Sequence, residues 1–247
     1  MQSGADSYAV NNSFAEFRND SLDPAVRGFL HSPTTANGNA LILAHGAGSD
    51  CTAPLLVAIS ETFAGHGYLV LRCDLPFRQE GERRTGPPFP GNAERDRAGL
   101  RNAVAALRKT VAGRIFLGGH SYGGRQSTLL CAAEPELVQP DAVKSDAVKS
   151  ELVSGLLVLS YPLHPPRKPQ QLRVQHLPSL RAPSLFVHGT RDPFGSVEEM
   201  ANALQLIPAK TELMKVEGAG HDLGFKGKAR AIELPASILA RFEEIFA

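Results

Sequence analysis

The stretch "IFLGGHSYGGRQS", residues 115–127, decides the fold. Its first three residues form an apolar run that is too short for a helix and typical of a buried strand. Residues 122–133 can form a helix packed on a sheet. The turn between them fits the pattern G-x-S-x-G around Ser121, in which a strained serine presents its hydroxyl at the top of the sheet. A glycine-rich loop with an incidental serine is the alternative, so the rest of the chain must decide.

Short apolar runs alternate with helix-like stretches along the whole chain. Strands are predicted at 14–18, 25–31, 41–44, 68–73, 115–117, 152–159, 185–188 and 211–216, and helices at 53–66, 93–111, 122–133 and 197–206, with a closing helix that has Pro235 in its first turn. This alternation predicts an α/β fold, with a mainly parallel eight-stranded sheet and helices on both faces. No linker divides the chain, so we expect a single domain over residues 1–247.

Two connections have distinctive compositions. Residues 77–91 form a polar, proline-rich segment and are predicted to be a loop. Between the sixth and seventh strands, a segment rich in proline and basic residues leaves room for one short helix near 170–176 and hence for a minimal lid. The sequence Asp-Ala-Val-Lys-Ser occurs twice in succession, at 141–150, and two copies are too few for a repeat architecture.

Composition narrows the class of protein. The 247 residues include 43% hydrophobic and 21% charged residues, which is typical of a globular protein. A net charge of +1 gives no reason to expect nucleic acid or an anionic membrane as a partner. The three cysteines, Cys51, Cys73 and Cys131, have no C-x-x-C spacing, so neither a metal site nor a redox pair is expected. No signal-like start is present, and a cytoplasmic location is expected.

A serine nucleophile needs a base and a carboxylate that orients it, and in this fold class the chain order is serine, acid, histidine. No Asp or Glu lies between Ser154 and Thr190, so Asp192 in "GTRDPFG" is the first candidate acid. His221 in "GAGHDLG" is the only histidine after the seventh strand. Asp192 could instead be a turn residue and His221 a solvated loop residue, but both follow strand ends in the required order.

An oxyanion hole needs two N–H donors placed in advance. One is expected from the backbone of Tyr122, the residue after the serine. The other is expected from Ala47 in "HGAG", although this glycine turn could serve packing alone.

Several other residues are weaker candidates for a role in or near the site. His164, in "SYPLHPP", follows the sixth strand and could line a substrate site or be an ordinary surface residue. Arg78, Arg83 and Arg84 could contact an acidic substrate group or belong to a solvated basic loop. Arg125, one helical turn past Ser121, is expected to form a structural ion pair.

The motifs "LAHGAG", "GGHSYGG", "GTRDPFG" and "GAGHDL" together resemble the α/β-hydrolase superfamily over nearly the whole chain. "GERRTGPP" and "SYPLHPP" further resemble a branch near the dienelactone hydrolases, which includes the hydrolase-like domains of a non-specific-lethal complex subunit and of a testis-expressed protein. Dienelactone hydrolases typically use a cysteine nucleophile, whereas this chain has Ser121. The resemblance implies Ser121, Asp192 and His221 as a catalytic triad.

The sequence therefore predicts a serine hydrolase acting on small soluble esters, with thioesters and peptides as open alternatives. No cofactor or metal is expected. The alternative from another class is a non-catalytic interaction module on the same fold, because fold alone does not fix function.

Overall fold

The computed structural model describes residues 14–79, 93–138, 153–225 and 233–247. Eight strands form one sheet in the order β1-β2-β4-β3-β5-β6-β7-β8. The strands are β1 (Phe14–Asn19), β2 (Val26–His31), β3 (Ala40–Ala44), β4 (Leu69–Cys73), β5 (Ile115–His120), β6 (Val153–Leu159), β7 (Ser184–Gly189) and β8 (Thr211–Val216). Strand β2 is antiparallel to both β1 and β4, and all other pairs are parallel. The predicted α/β fold with a mainly parallel eight-stranded sheet is confirmed.

Helices cover both faces of the sheet. They are α1 (Pro54–Gly65), α2 (Pro76–Gln79), α3 (Ala93–Arg108), α4 (Tyr122–Ala133), α5 (Val197–Leu204) and α6 (Glu233–Phe246). A hydrophobic core lies on each face of the sheet. Successive side chains of β3 point to opposite faces and therefore contribute to both cores. Ile42 belongs to the core that also includes side chains of α3, α4 and α5, whereas Leu41 and Leu43 belong to the core that includes side chains of α1 and α6.

Several local predictions differ from the structure, including the ends of β5, which extends to His120, and of α5, which ends at Leu204. Phe77 lies in helix α2 and not in a loop, because Pro76 suits a helix start and the Phe77 N–H donates to the buried carboxylate of Asp96 (3.1 Å). Residues 170–176 form turns, and the only helical turn between β6 and β7 is a 3₁₀ helix at Leu177–Ser179. Helix α3 ends at Arg108, three residues before the predicted end.

The closing helix α6 carries Pro235 in its first turn, as predicted. The two copies of Asp-Ala-Val-Lys-Ser lie outside the described residues, as do Arg83 and Arg84. Among the helices within the described ranges, none has both the length and the apolar character needed to cross a bilayer.

The topology brings the expected functional residues to one edge of the sheet. Strands β3, β5, β7 and β8 are parallel, so the loops that follow them meet at their carboxyl ends. These loops carry Ala47, Ser121, Asp192 and His221.

Candidate active site

Ser121 lies in a sharp turn between β5 and α4. Its backbone has φ 52° and ψ −112°, a conformation that residues with side chains rarely adopt and that costs about 1–3 kcal/mol. The Ser121 N–H donates to the carbonyl of Leu159 on β6 (2.8 Å), which fixes the turn to the neighbouring strand. The fold therefore holds this serine in a strained position at the sheet edge, as the G-x-S-x-G pattern predicts.

Glycines beside Ser121 allow the turn to approach strand β3. A Cβ atom at Gly119 would lie 2.2 Å from the carbonyl oxygen of Ala44, and one at Gly123 would lie 2.6 Å from the same atom. Both distances are far below van der Waals contact, so a larger residue at Gly119 would push β5 away from β3, and one at Gly123 would push α4 away from β3. The Gly123 N–H then donates to His45 O (3.1 Å) and joins the serine turn to the loop after β3.

The structure brings Ser121, His221 and Asp192 into one hydrogen-bonded chain. His221 Nε2 is 2.8 Å from Ser121 Oγ, and His221 Nδ1 is 2.8 Å from Asp192 Oδ2. An ionised carboxylate can only accept, so Nδ1 carries the proton and the Nε2 of a neutral ring accepts from the serine hydroxyl. A nucleophile, a base and an orienting acid require this geometry.

Burial and packing fix the acid and the base. The Asp192 side chain is fully buried, and its other oxygen accepts from the Phe194 N–H (2.9 Å). The Phe194 ring packs against the His221 imidazole, with 4.2 Å between ring centroids. The carboxylate thus has both oxygens satisfied, and the imidazole is held between it and the aromatic ring.

His120, the last residue of β5, holds the loop that carries His221. Its Nε2–H donates to the backbone carbonyl of His221 (2.8 Å). Burial lowers the pKa of His120 to about 4, so the ring is neutral at neutral pH. This contact could not be predicted from the sequence, because it joins residues that are 101 positions apart.

The expected oxyanion donors face the same loop cluster. Gly46 O accepts from the Ser49 N–H (3.2 Å), so residues 46–49 form a tight turn, and the Arg78 guanidinium donates to Ala47 O (3.0 Å). Within the described residues, neither the Ala47 N–H nor the Tyr122 N–H donates to a protein acceptor. Tyr122 is the first residue of α4, where backbone N–H groups have no partner within the helix.

Tyr122 is also anchored by its side chain. Its hydroxyl donates to the fully buried carboxylate of Asp96 on α3 (2.8 Å), and its ring meets Phe77 edge-on at 5.8 Å. Burial and then this hydrogen bond raise the pKa of the tyrosine well above its usual range. Asp96 could not be recognised from the sequence, because no motif surrounds it.

A cavity of about 1050 Å³ opens beside the serine. Ser121, His221, Ala47 and Tyr122 all line it, together with the apolar side chains of Pro162, Pro193 and Phe194. A substrate in this cavity would contact the serine, the imidazole and both expected oxyanion donors at once.

Two predictions outside the triad do not hold. His164 is not among the residues that line the cavity: it is buried, with Nδ1 2.8 Å from Pro165 O and Nε2 3.5 Å from Glu199. The expected ion pair of Arg125 is wrong, because no carboxylate in the described ranges pairs with its guanidinium, which lines the cavity instead. The three cysteines are free and buried.

The comparison with known families rests on most of the chain. The sequence profile of a family described as "Alpha/beta hydrolase domain" matches residues 37–236, which include all four loops of the site. The chain belongs to this α/β hydrolase family.

Relatives of this α/β hydrolase include a protein of Escherichia coli (strain K12) that bears the name "Putative carboxymethylenebutenolidase". It is 26% identical over 226 residues, which cover 81% of this chain and 78% of the relative. Among solved structures, a dienelactone hydrolase from Anabaena variabilis superposes with a TM-score of 0.70 at 19% identity over 96% of this chain and 99% of the other. A serine hydrolase without lid from Xanthomonas campestris has a TM-score of 0.66 at 13% identity, with 94% of each chain covered. The chain is thus similar to proteins of the dienelactone-hydrolase-like branch.

Proposed function

We propose that this α/β hydrolase is a serine esterase that cleaves small carboxylic esters. The observation that carries the proposal is the chain of two 2.8 Å contacts from Ser121 through His221 to Asp192. The fully buried carboxylate and the strained serine turn support it, because both cost free energy that simple loops would avoid.

The reaction follows from the positions of the protons. Ser121 Oγ attacks the acyl carbonyl carbon while His221 Nε2 accepts the hydroxyl proton. The imidazolium that forms is stabilised by ionised Asp192 on Nδ1–H, and it then protonates the leaving alkoxide as the carbon–oxygen bond breaks. Water, deprotonated by the same Nε2, then attacks the acyl carbon, and the imidazolium returns this proton to Ser121 Oγ as the acyl–oxygen bond breaks, which releases the acid and restores the free serine.

The developing oxyanion needs donors at a fixed place. The N–H groups of Ala47 and Tyr122 have no acceptor among the described residues, and the Gly123–His45 hydrogen bond holds their two loops together. Loss of one such donor in another serine hydrolase costs about 10²–10³ in kcat.

An ester is the favoured substrate class on two grounds. The Anabaena variabilis relative is a dienelactone hydrolase by name, and a lactone is a cyclic ester. The cavity of about 1050 Å³ has room for a small ester, and the segment between β6 and β7, which contributes Pro162 and Arg173 to its lining, contains only one 3₁₀ turn.

Active-site labelling tests the proposal. Wild-type protein should react with a fluorophosphonate probe and hydrolyse p-nitrophenyl acetate, and Ser121→Ala should lose the labelling and reduce turnover by up to about a million-fold. Ser127→Ala, which alters a buried serine on the same helix that bonds Gly123 O (3.0 Å), is the matched control for the probe. Labelling that survives in Ser121→Ala would overturn the nucleophile, and a wild-type protein that neither labels nor hydrolyses would favour a non-catalytic interaction module.

A further inference from the structure

His188 is a buried histidine beside the acid of the triad, and the mechanism above does not use it. It lies on β7, four residues before Asp192, and the side chains of both residues are fully buried. Its two ring nitrogens have different surroundings: Nε2 contacts a backbone carbonyl, whereas Nδ1 faces the carboxylate of Asp192. Each of these nitrogens can therefore affect the position or the charge of that carboxylate.

The first nitrogen closes the loop that carries Asp192. His188 Nε2 is 2.8 Å from Gly195 O, and because a carbonyl oxygen can only accept, Nε2 carries the proton of this hydrogen bond. The bond joins β7 to the far end of the loop. Inside the loop, the Asp192 N–H donates to Gly189 O (3.1 Å). Residues 189–195 therefore form a closed loop with Asp192 at its middle.

The second nitrogen faces Asp192 without donating to it. His188 Nδ1 lies 3.9 Å from Asp192 Oδ2, which is too far for a hydrogen bond, and this buried atom has no partner among the described residues. A neutral imidazole has one N–H, which His188 uses at Nε2, so Nδ1 holds a lone pair. The ring therefore presents its electron-rich nitrogen to the carboxylate.

This arrangement leaves Asp192 Oδ2 to His221. Oδ2 is 2.8 Å from His221 Nδ1, and Oδ1 accepts from the Phe194 N–H (2.9 Å). Within the described parts of the chain, no other side chain donates to either oxygen. A second donor on Oδ2 would share the negative charge that stabilises the His221 imidazolium during the reaction. The lone pair on His188 Nδ1 brings no such donor.

Packing alone does not explain a histidine at this position. Residues 185–187, which precede it on β7, are apolar and buried, so an apolar side chain would suit the strand. The hydrogen bond to Gly195 accounts for Nε2 only. A buried polar atom without a partner lowers stability, so Nδ1 of His188 needs another explanation.

We propose that His188 is a positioning residue of Asp192. Its Nε2–H closes the loop that holds the carboxylate, and its Nδ1, which carries no proton, leaves Oδ2 to His221. The proposal rests on the esterase function proposed above and extends the triad by one residue that touches neither the substrate nor the reacting atoms. His188 therefore acts on the rate through Asp192 and takes part in no proton transfer.

Two amide substitutions separate the roles of the two nitrogens. In His188→Gln the amide can occupy the position of Nε2 and donate to Gly195 O, and it brings no donor to Asp192 Oδ2. In His188→Asn the shorter side chain places the amide at the position of Nδ1, where it can donate to Oδ2 and cannot reach Gly195 O. His188→Gln should retain most of the wild-type kcat for p-nitrophenyl acetate. His188→Asn should lower kcat about 10-fold or more with little change in KM, because it affects the chemical step and not substrate binding.

A third variant, His188→Leu, isolates the loss of loop closure. It removes the bond to Gly195 O and brings no donor to Asp192, so its kcat should lie between those of His188→Gln and His188→Asn. Equal kcat values for His188→Leu and His188→Asn would refute the exclusion of a donor from Oδ2. Wild-type kcat in all three variants would refute the whole proposal.

NMR spectra of the protein without substrate give a readout that does not depend on turnover. The His221 Nδ1–H proton should have the same chemical shift in wild type and His188→Gln. In His188→Asn it should move upfield, because two donors then share Asp192 Oδ2. In wild type labelled with ¹⁵N-histidine, the ring whose signals His188→Gln removes should have one protonated and one unprotonated nitrogen. Two protonated nitrogens would overturn the proposal, even if the other variants did not fold.

The same measurements distinguish failure of this proposal from failure of the esterase function. If wild type does not hydrolyse esters but the His221 signal moves only in His188→Asn, the role of His188 stands and the esterase function does not. If wild type hydrolyses esters and the His221 signal is the same in every variant, the esterase function stands and the role of His188 is refuted.

Discussion

At the scale of single residues, the site depends on contacts that hold His221 within reach of Ser121. Asp192 fixes one ring nitrogen, the Phe194 ring packs on the imidazole face, and His120 binds the backbone carbonyl of His221. The contact between Asp192 and His221 was predicted from the order of the serine, acid and histidine motifs along the chain. The other two depend on side chains that meet only in the folded chain, which is why the sequence did not predict them.

His120 is predicted to be a positioning residue. Replacing it with Leu removes the N–H that holds the His221 carbonyl, and a shift of about 1 Å in a catalytic group can cost up to about 10²-fold in rate. We expect kcat for p-nitrophenyl acetate to fall about 10-fold or more with little change in KM. His120→Gln, whose amide can still donate, should recover part of the rate.

The pH dependence of the rate provides a second test of the role of His120. Since the pKa of His120 is about 4, its own titration should not alter the rate above about pH 5. Wild type and His120→Gln should therefore show pH–rate profiles of the same shape. A profile that loses an ionisation above pH 5 in the variant would mean that His120 itself exchanges protons in the reaction.

At the scale of elements, the sequence predicted what periodicity and strand ends encode. The bounds of α4 match the prediction, because a strand–glycine turn–helix pattern has a sharp limit at the turn, and the bounds of β8 match as well. Helix α2 was missed because its four residues hold together through the Asp96 carboxylate, which lies 19 residues from Phe77. The ion pair expected for Arg125 was wrong for a related reason, since helical spacing places a side chain on a face but does not supply its partner.

The junction between α4 and β3 should tolerate no side chain at Gly123. A Cβ there would lie 2.6 Å from Ala44 O and 2.7 Å from His45 O, so Gly123→Ala must separate the serine turn from the oxyanion loop. We expect the free energy of unfolding to fall by about 1–3 kcal/mol, as overpacking usually costs, with loss of fluorophosphonate labelling. Urea denaturation measures the first effect.

Gly48→Ala is the matched control for stability, because a Cβ at Gly48 meets no atom within 4 Å. Its free energy of unfolding should stay within about 0.5 kcal/mol of wild type, as is usual where no packing changes. If Gly123→Ala were as stable as Gly48→Ala and still reacted with the probe, the close approach of α4 to β3 would not be needed for the site.

At the scale of the whole molecule, the lining of the cavity beside Ser121 limits the length of the acyl group of the substrate. Residues 160–183 connect β6 and β7 with turns and one 3₁₀ helix, and among the cavity-lining residues Arg125 and Arg173 interrupt the apolar surface. A long acyl chain needs a continuous apolar wall, at about 25 cal/mol per Å² of buried area. Two guanidinium groups in the lining therefore favour short acyl groups over long ones.

We therefore expect short acyl esters to be the better substrates. In a series of p-nitrophenyl esters from about two to about sixteen carbons, where each buried CH₂ could add about 0.8 kcal/mol, kcat/KM should be highest at the short end and should not rise at a lipid interface. A detergent-free series below the solubility limit of each ester avoids micelle artefacts. A maximum for long chains would contradict this description of the cavity.

The free energy of unfolding at mildly acidic pH should depend on a buried histidine outside the active site. His31 on β2 is fully buried, its Nε2 accepts from Arg72 Nε (2.7 Å), and its ring stacks on Phe14. Burial, and then the charge of Arg72, lower the pKa of His31 to about 4, against 6.5 for the free side chain. Between these two values the unfolded chain binds more protons than the folded one, so stability falls as the pH falls.

The size of the effect follows from the pKa difference. A pH of 5 is about 1.5 units below the pKa of a histidine in the unfolded chain. At 1.36 kcal/mol per unit, His31 should therefore lower the free energy of unfolding at pH 5 by at most about 2 kcal/mol relative to pH 7. His31→Gln keeps an acceptor for Arg72 and cannot become charged, so its loss of stability between pH 7 and pH 5 in urea denaturation should be smaller by up to that amount. His66→Gln, at an exposed residue after α1, should keep the wild-type loss. Equal losses in all three proteins would mean that the pKa of His31 in the folded chain is close to its value in the unfolded chain, which would contradict this prediction.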